Sequence, residues 1–208
     1  MSAPLKSLGQ AAILGLLGLG AAGLLGAVHR TTGPVIELRI KQDLERSLAE
    51  VLPPEIRDND PTEDTLQVSG NPTRFHLARS GGVTTGVAFE TMASGYSGAI
   101  RMVVGVDRHG KLFGVRVVSH SETPGLGDKI EVVKSDWIRG FDGKSLSNPG
   151  PEGWAVKKDG GEFDALSGAT ITPRAVVRGV LAGLKLVAER ETELFSESNP
   201  EGGKRDGQ

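Results

Sequence analysis

Cysteine is absent from all 208 residues. Disulfides are excluded, and so are iron–sulfur clusters and thioether-bound haem, which take their protein bonds from sulfur. The absence leaves the redox compartment open, because neither disulfides nor reduced thiols are on show. Histidine is scarce: His29, His76, His109 and His120 are scattered, and no pair has the helical or hairpin spacing of a zinc site. An excess of charge of one sign is lacking too. With a net charge of −2, no basic face for nucleic acid is implied. If this chain does redox work, it must use a different, organic cofactor. Aromatics make up only 4% while there are 30 glycines, which points to many turns and to sites where backbone comes close to something.

What the chain does have begins with one long apolar run. From Leu8 to Val28 it reads LGQAAILGLLGLGAAGLLGAV, with Gln10 its one polar residue, a length that suits a bilayer-spanning helix. A cleaved signal peptide would have a shorter apolar core, and no convincing small-x-small site follows Leu25. Residues 1–30 are therefore expected to be a retained single-span anchor. Lys6 and the amino terminus precede the run while His29 and Arg30 follow it, so flanking charge gives little direction. Gly18, Ala22 and Gly26 fall four apart on one face, where small residues let a partner helix approach. A Gly/Ala-rich span that is simply small everywhere is the alternative.

Residues 31–98 are expected to hold an amphipathic helix and the first part of a soluble domain. Ile36, Ile40, Leu44, Leu48 and Val51 recur at helical spacing until Pro53 and Pro54 stop the helix. Residues 56–65 read as loop. Strands are expected at 65–68, 74–79 and 82–93. Beyond them, Ile100, Met102, Val104 and Val106 alternate with Arg101 and Asp107, and Phe113, Val115 and Val117 alternate with Arg116. The turn residues Asp107-Arg108-His109-Gly110 between the two runs predict an antiparallel hairpin. A short helix is expected over 131–141 and a short strand over 154–158. A final helix should run from about Pro173 to Phe195, with Val177, Val180, Leu181, Leu184 and Val187 on its apolar side. The polar tail, 196–208, is expected to be disordered. The fold class is α+β: an N-terminal transmembrane helix, then one domain with an antiparallel sheet and packed helices.

Two loops carry candidate chemistry. In DALSGAT, Asp164 to Thr170, a small turn opens onto the last helix, and Thr172-Pro173 reads as an N-cap and first-turn pair. Free amides and the helix dipole favour an anion there. Gly168 lets backbone approach, and Thr170 puts a hydroxyl near where a phosphate would rest. A plain strand-to-helix turn fits the same residues. The second loop, SHSETPGLGDKI, has Leu126 as its large apolar group between flexible neighbours, which suits a planar heteroaromatic ring. A tight turn would explain it equally.

The pairing of GYSGAIRMVVGVDRHGKLFGVRVVSHSETPGLGDKI with DALSGATIT resembles the covalent-FMN-binding domain family, and over nearly the whole chain the G subunits of Rnf (Rsx) electron-transport complexes. The resemblance implies that 99–195 is an FMN-binding domain. It further implies that a separate flavin transferase takes FMN from FAD and joins its phosphate to the Thr170 hydroxyl, a phosphothreonine linkage. Asp164, Ser167, Gly168 and Ala169 would complete the recognition pattern, and Glu122, Thr123, Gly125, Leu126 and Gly127 would lie against the flavin. Thr172 is the wrong acceptor by this matching, and its cap role accounts for it. The implied protein is an electron-relaying subunit, not catalytic alone, of an ion-translocating ferredoxin:NAD oxidoreductase. Its partners would be the other membrane and peripheral subunits. Its place would be the bacterial inner membrane, single-pass, with the soluble domain on the periplasmic side. Lys129 would meet a reduced flavin if it pointed inward; a solvated lysine is the plainer reading. Three rivals remain: the C subunit of sodium-pumping NADH:quinone reductase, usually longer; a flavin-free membrane-anchored assembly or binding protein; and acyl transfer at Thr170 or Ser167, which needs a base such as His120 nearby.

Overall fold

A computed structural model of the chain describes residues 3–68 and 70–196, without the side chains of 3–12, 34–37, 40 and 41. The Ile36 and Ile40 side chains and the tail 197–208 thus lie outside the described residues. Two compact units divide the chain, Met1–Asp43 and Leu44–Gln208. Helix α1 (Ala3–Val51) fills the described part of the first and contributes its last turns to the second. Within it, the 21 residues Ile13–Gly33 are long and apolar enough to cross a membrane, and none is buried. Such a surface, with leucines such as Leu14, Leu16 and Leu19 all exposed, suits lipid rather than water. The amphipathic stretch expected after the span is the same helix continued, and it ends ahead of Pro53 and Pro54 as expected.

The second unit is built on a five-stranded antiparallel meander in the order β1 (Thr65–Gln67), β2 (Arg74–Ser80), β3 (Val83–Ser94), β4 (Ala99–Asp107), β5 (Leu112–Ser119). Short connections suffice because each strand pairs with its sequence neighbour. In the β4–β5 turn the Asp107 carboxylate accepts the amides of His109 and Lys111 at 2.7 and 2.8 Å, standing in for backbone pairing.

Alternation along the strands gives the sheet two apolar faces. Ile100, Met102, Val104 and Val106 join the larger core, which is closed by Val177, Val180, Leu184 and Val187 of helix α2 (Ile171–Glu189). Val103, Ala78 and Ala88 turn to the other face, where Leu48, Val51 and Leu52 at the end of α1 cover them. Each of the larger side chains contributes about 1.5–3 kcal/mol by leaving water.

Four sequence expectations change. Phe113 does not share a face with Val115 and Val117: the register shifts between Gly105 and Val106 against β5, and this bulge turns Phe113 to the α1 side. The helix over 131–141 shrinks to a 3₁₀ segment, Asp136–Phe141. It begins there because the Ser135 hydroxyl accepts the Trp137 amide, and the β-branched Val132 and Val133 ahead of it favour helix poorly. The strand at 154–158 is one parallel bridge, Val156 to Phe163, because the chain passes straight into a 3₁₀ turn at Lys157–Asp159. The last helix stops at Glu189, since Arg190 leaves helical backbone angles, and resumes as α3 (Glu191–Leu194).

Candidate functional site

The signature turn stands on an aromatic platform. Phe163 stacks on Phe141 with ring centroids 4.5 Å apart, Trp154 leans on Phe163 at 5.1 Å, and Trp137 Nε1 donates to the Asp164 carbonyl at 2.7 Å. The chain reverses when the Ala169 amide donates to the Leu166 carbonyl at 3.2 Å, with Gly168 at φ +80° between them. A left-handed angle there costs a residue with a Cβ about 1–2 kcal/mol, so glycine fits. Thr170 is exposed and occupies the N-cap of α2, but its side chain makes no cap hydrogen bond.

That placement corrects the expected cap. Thr172 is the second residue of α2, not its cap, and is 1% exposed. Its hydroxyl instead donates to the Glu122 carboxylate. Pro173 is tolerated because first-turn amides have no helical partner.

The second loop leaves β5 through His120. The Glu122 amide donates to His120 Nδ1 at 3.0 Å, so the ring proton sits on Nε2, which donates to Glu131 at 2.9 Å. The amides of Leu126 and Gly127 both donate to the Thr123 carbonyl, closing a tight turn. Glu122 is 4% exposed. One of its oxygens accepts the Ser97 amide, from the β3–β4 connection, at 2.9 Å; the other accepts Thr172. Burial pushes its carboxyl up, but the Thr172 hydroxyl, the Ser97 and Tyr96 amides and His120 together bring it below the usual value of 4.5. One carboxylate therefore ties together three segments far apart in sequence.

Between the loops lies a cleft of about 400 Å³, within the roughly 300–1,000 Å³ range of small-molecule sites. Its walls are Tyr96; Glu122, Thr123, Leu126 and Gly127; and Gly168, Ala169, Thr170, Ile171 and Thr172. Seven of the residues singled out from the sequence meet here. Gly125, Asp164 and Ser167 do not line it, and Asp164 is instead paired with Lys157 at 2.6 Å. Lys129 is not on the walls either. Nor does His120 line the cleft, and its two ring nitrogens are engaged by the Glu122 amide and Glu131. The sequence reading missed Tyr96, Ile171 and Thr172. Tyr96 stands in the GYSG that opens the hairpin and was detectable only as an aromatic in a chain with few; Ile171 carries no signal apart from its helix.

The cleft has an exposed apolar rim of Tyr96, Leu126 and Ile171, 71%, 41% and 42% exposed. Leu126 lies over the signature turn so closely that a Cβ on Gly168 would fall 2.6 Å from its Cδ2. At the helix end, Arg174 grips Asp159 through two hydrogen bonds of 2.6 Å and points its third nitrogen, Nη1, to within 3.4 Å of the Thr170 carbonyl. The Asp159 pairing holds Arg174 above its usual value and Asp159 below its own. An apolar rim, first-turn amides of α2 and an arginine bonded to the Thr170 carbonyl suit a ligand with an apolar ring and an anionic group. Among the described residues no His/Asp/Glu cluster could hold a metal ion.

Residues 95–197 match the model of the FMN-binding domain family. The chain is 48% identical over 191 residues to the G subunit of the ion-translocating oxidoreductase complex of Cereibacter sphaeroides, covering 90% of this chain and 87% of that protein. It is 46% identical over 197 residues to the corresponding G subunit of Pseudomonas aeruginosa, covering 90% and 92%. Among solved structures it is similar to NqrC of Shewanella oneidensis, with a TM-score of 0.48 and 24% identity over 71% of this chain and 73% of that one.

Proposed function

This chain belongs to the G-subunit family of ion-translocating oxidoreductase complexes, and from that membership we propose that it relays electrons through an FMN joined by a phosphodiester to Thr170. The flavin supplies the capacity to take up one or two electrons, so that it exchanges single electrons with one-electron carriers. This chain's residues do the rest. The observation that carries the reading is Thr170: an exposed hydroxyl, uncommitted to its helix cap, on the wall of a cleft sized for a cofactor. Gly168 and Ala169 leave the approach to it clear. The first-turn amides of α2 favour the phosphodiester anion, and Arg174 Nη1 lies one helical turn away. Leu126 and Tyr96 offer apolar surface for the ring.

The rest of the proposal is drawn from the same membership. Ile13–Gly33 anchors the subunit in the bacterial inner membrane, with the domain on the periplasmic side, where a flavin transferase loads it from FAD. The other subunits of an Rnf-type complex are its partners, and electrons pass between ferredoxin and NAD while an ion crosses the membrane. The test is intact mass of the full chain produced with a flavin transferase, beside Thr170→Ala. One FMN phosphodiester is expected on the wild type, mapped to Thr170, and none on the variant. An unmodified wild type, or one modified at another residue, would overturn the assignment.

A further inference from the structure

The cleft contains one formal charge among its wall residues, the Glu122 carboxylate, and no lysine or arginine. A buried anion is costly unless it is well hydrogen-bonded, and Glu122 receives the Ser97 amide on one oxygen and the Thr172 hydroxyl on the other. Around it the packing is close: a Cβ on Gly95 would fall 2.4 Å from one of its oxygens, and a Cβ on Gly127 would fall 2.8 Å from its own Cβ. Held this way, Glu122 lines the cleft. So much local structure is more than a turn requires. An amide or an apolar residue would hold a turn at lower cost.

We propose that Glu122 sets the redox behaviour of the flavin: its fixed negative charge opposes electron entry, and the Thr172 and Ser97 donors hold that charge in place. This rests on the FMN reading above and deepens it. Each electron passed from a neighbouring one-electron carrier oxidises that carrier by one electron and adds one negative charge in the cleft, until a proton from solvent cancels it. A carboxylate on the wall, poorly screened by salt because it is buried, repels that added charge. It makes the cofactor harder to reduce than the same cleft with a neutral residue. Thr172 takes part as the donor that disperses the charge of Glu122. That explains why the Thr172 hydroxyl is buried while that of Thr170 is exposed.

The test is a potentiometric titration of the flavin-loaded full chain, with wild type, Glu122→Gln, Glu122→Asp and Thr172→Val compared after peptide mapping has located the flavin. Glu122→Gln keeps volume and removes charge. Its midpoint potential should rise, by an amount equivalent to about a tenfold change in the reduced-to-oxidised ratio at fixed potential. Glu122→Asp keeps the charge and should stay near wild type. Thr172→Val keeps the charge but strips one donor from it, so its potential should fall below wild type. An unchanged potential in Glu122→Gln, or equal shifts in Gln and Asp, would overturn the proposal. If the Gln variant does not fold, Thr172→Val decides alone: a lower potential supports the proposal, and an equal or higher one overturns it. A wild type without flavin on Thr170 fails earlier, at the mapping step, and overturns the underlying reading instead.

Discussion

Gly168 and Leu126 set how closely the two walls of the cleft approach. Gly168 has φ +80° and no room for a Cβ under the Leu126 side chain. Gly168→Ala is expected to cost about 1–2 kcal/mol in backbone alone, a fall of about 2–8 °C in Tm for a chain of this size. Thermal unfolding of the full chain in detergent measures it. If FMN is joined to Thr170 as proposed, the same variant should also slow its attachment, because Leu126 must shift to admit the methyl group. At this scale the SGAT turn was legible in the sequence, since its small residues and exposed hydroxyl are local properties. The role of Thr172 was not. A Thr-Pro pair reads as a cap, and the partner that claims its hydroxyl is 50 residues away.

Among the elements, the end of α1 lies hard against the sheet. A Cβ on Gly105 of β4 would sit 2.1 Å from the Val51 carbonyl oxygen, a backbone atom that moves only with the helix. Gly105→Ala is therefore expected to lift the last turn of α1 from Ala78, Ala88 and Val103, and to cost about 1–3 kcal/mol. A lower urea midpoint with unchanged slope would show it. An unchanged midpoint would mean that the helix end yields freely. All five strands were legible, the β4–β5 hairpin by its alternation, and so was α2 by its 3.6-residue period; α1 was read as an apolar span and a separate amphipathic helix, which the structure joins into one. The bulge that turns Phe113 over was not, since it belongs to the pairing of β4 with β5. The irregular stretch between β5 and α2 was also misread. Its short segments are held by Phe141, Trp154 and Phe163 packing together, and periodicity does not record that.

For the molecule as a whole, Glu122 links stability to pH. Its carboxyl lies below the usual 4.5 in the folded state, so the unfolded chain binds more protons as pH falls through that region. The stabilisation is complete above about pH 4.5 and is lost as pH drops through the depressed folded value. Glu122→Gln should thus be less stable than wild type at pH 7, and the gap should narrow on acidification below about 4.5. Urea titrations across that range test this, and a gap that stays constant with pH would refute the linkage. Because the measurement needs no flavin, it reads the carboxylate independently of its cofactor.

By itself the sequence determined what depends on neighbours along the chain: an apolar run long enough to span a bilayer, alternating strands, the turn chemistry at Asp107, and two loops rich in small residues. It also excluded cofactors held by cysteine, since composition is indifferent to folding. Tertiary structure alone decided which residues share a cleft. Tyr96, Glu122 and Thr172 come from three separate segments, and they meet because the meander brings the β3–β4 connection and the exit of β5 to the same end as the start of α2. A hydrogen bond between residues 50 apart leaves no periodic trace in the sequence, so it becomes visible only once the chain has folded around it.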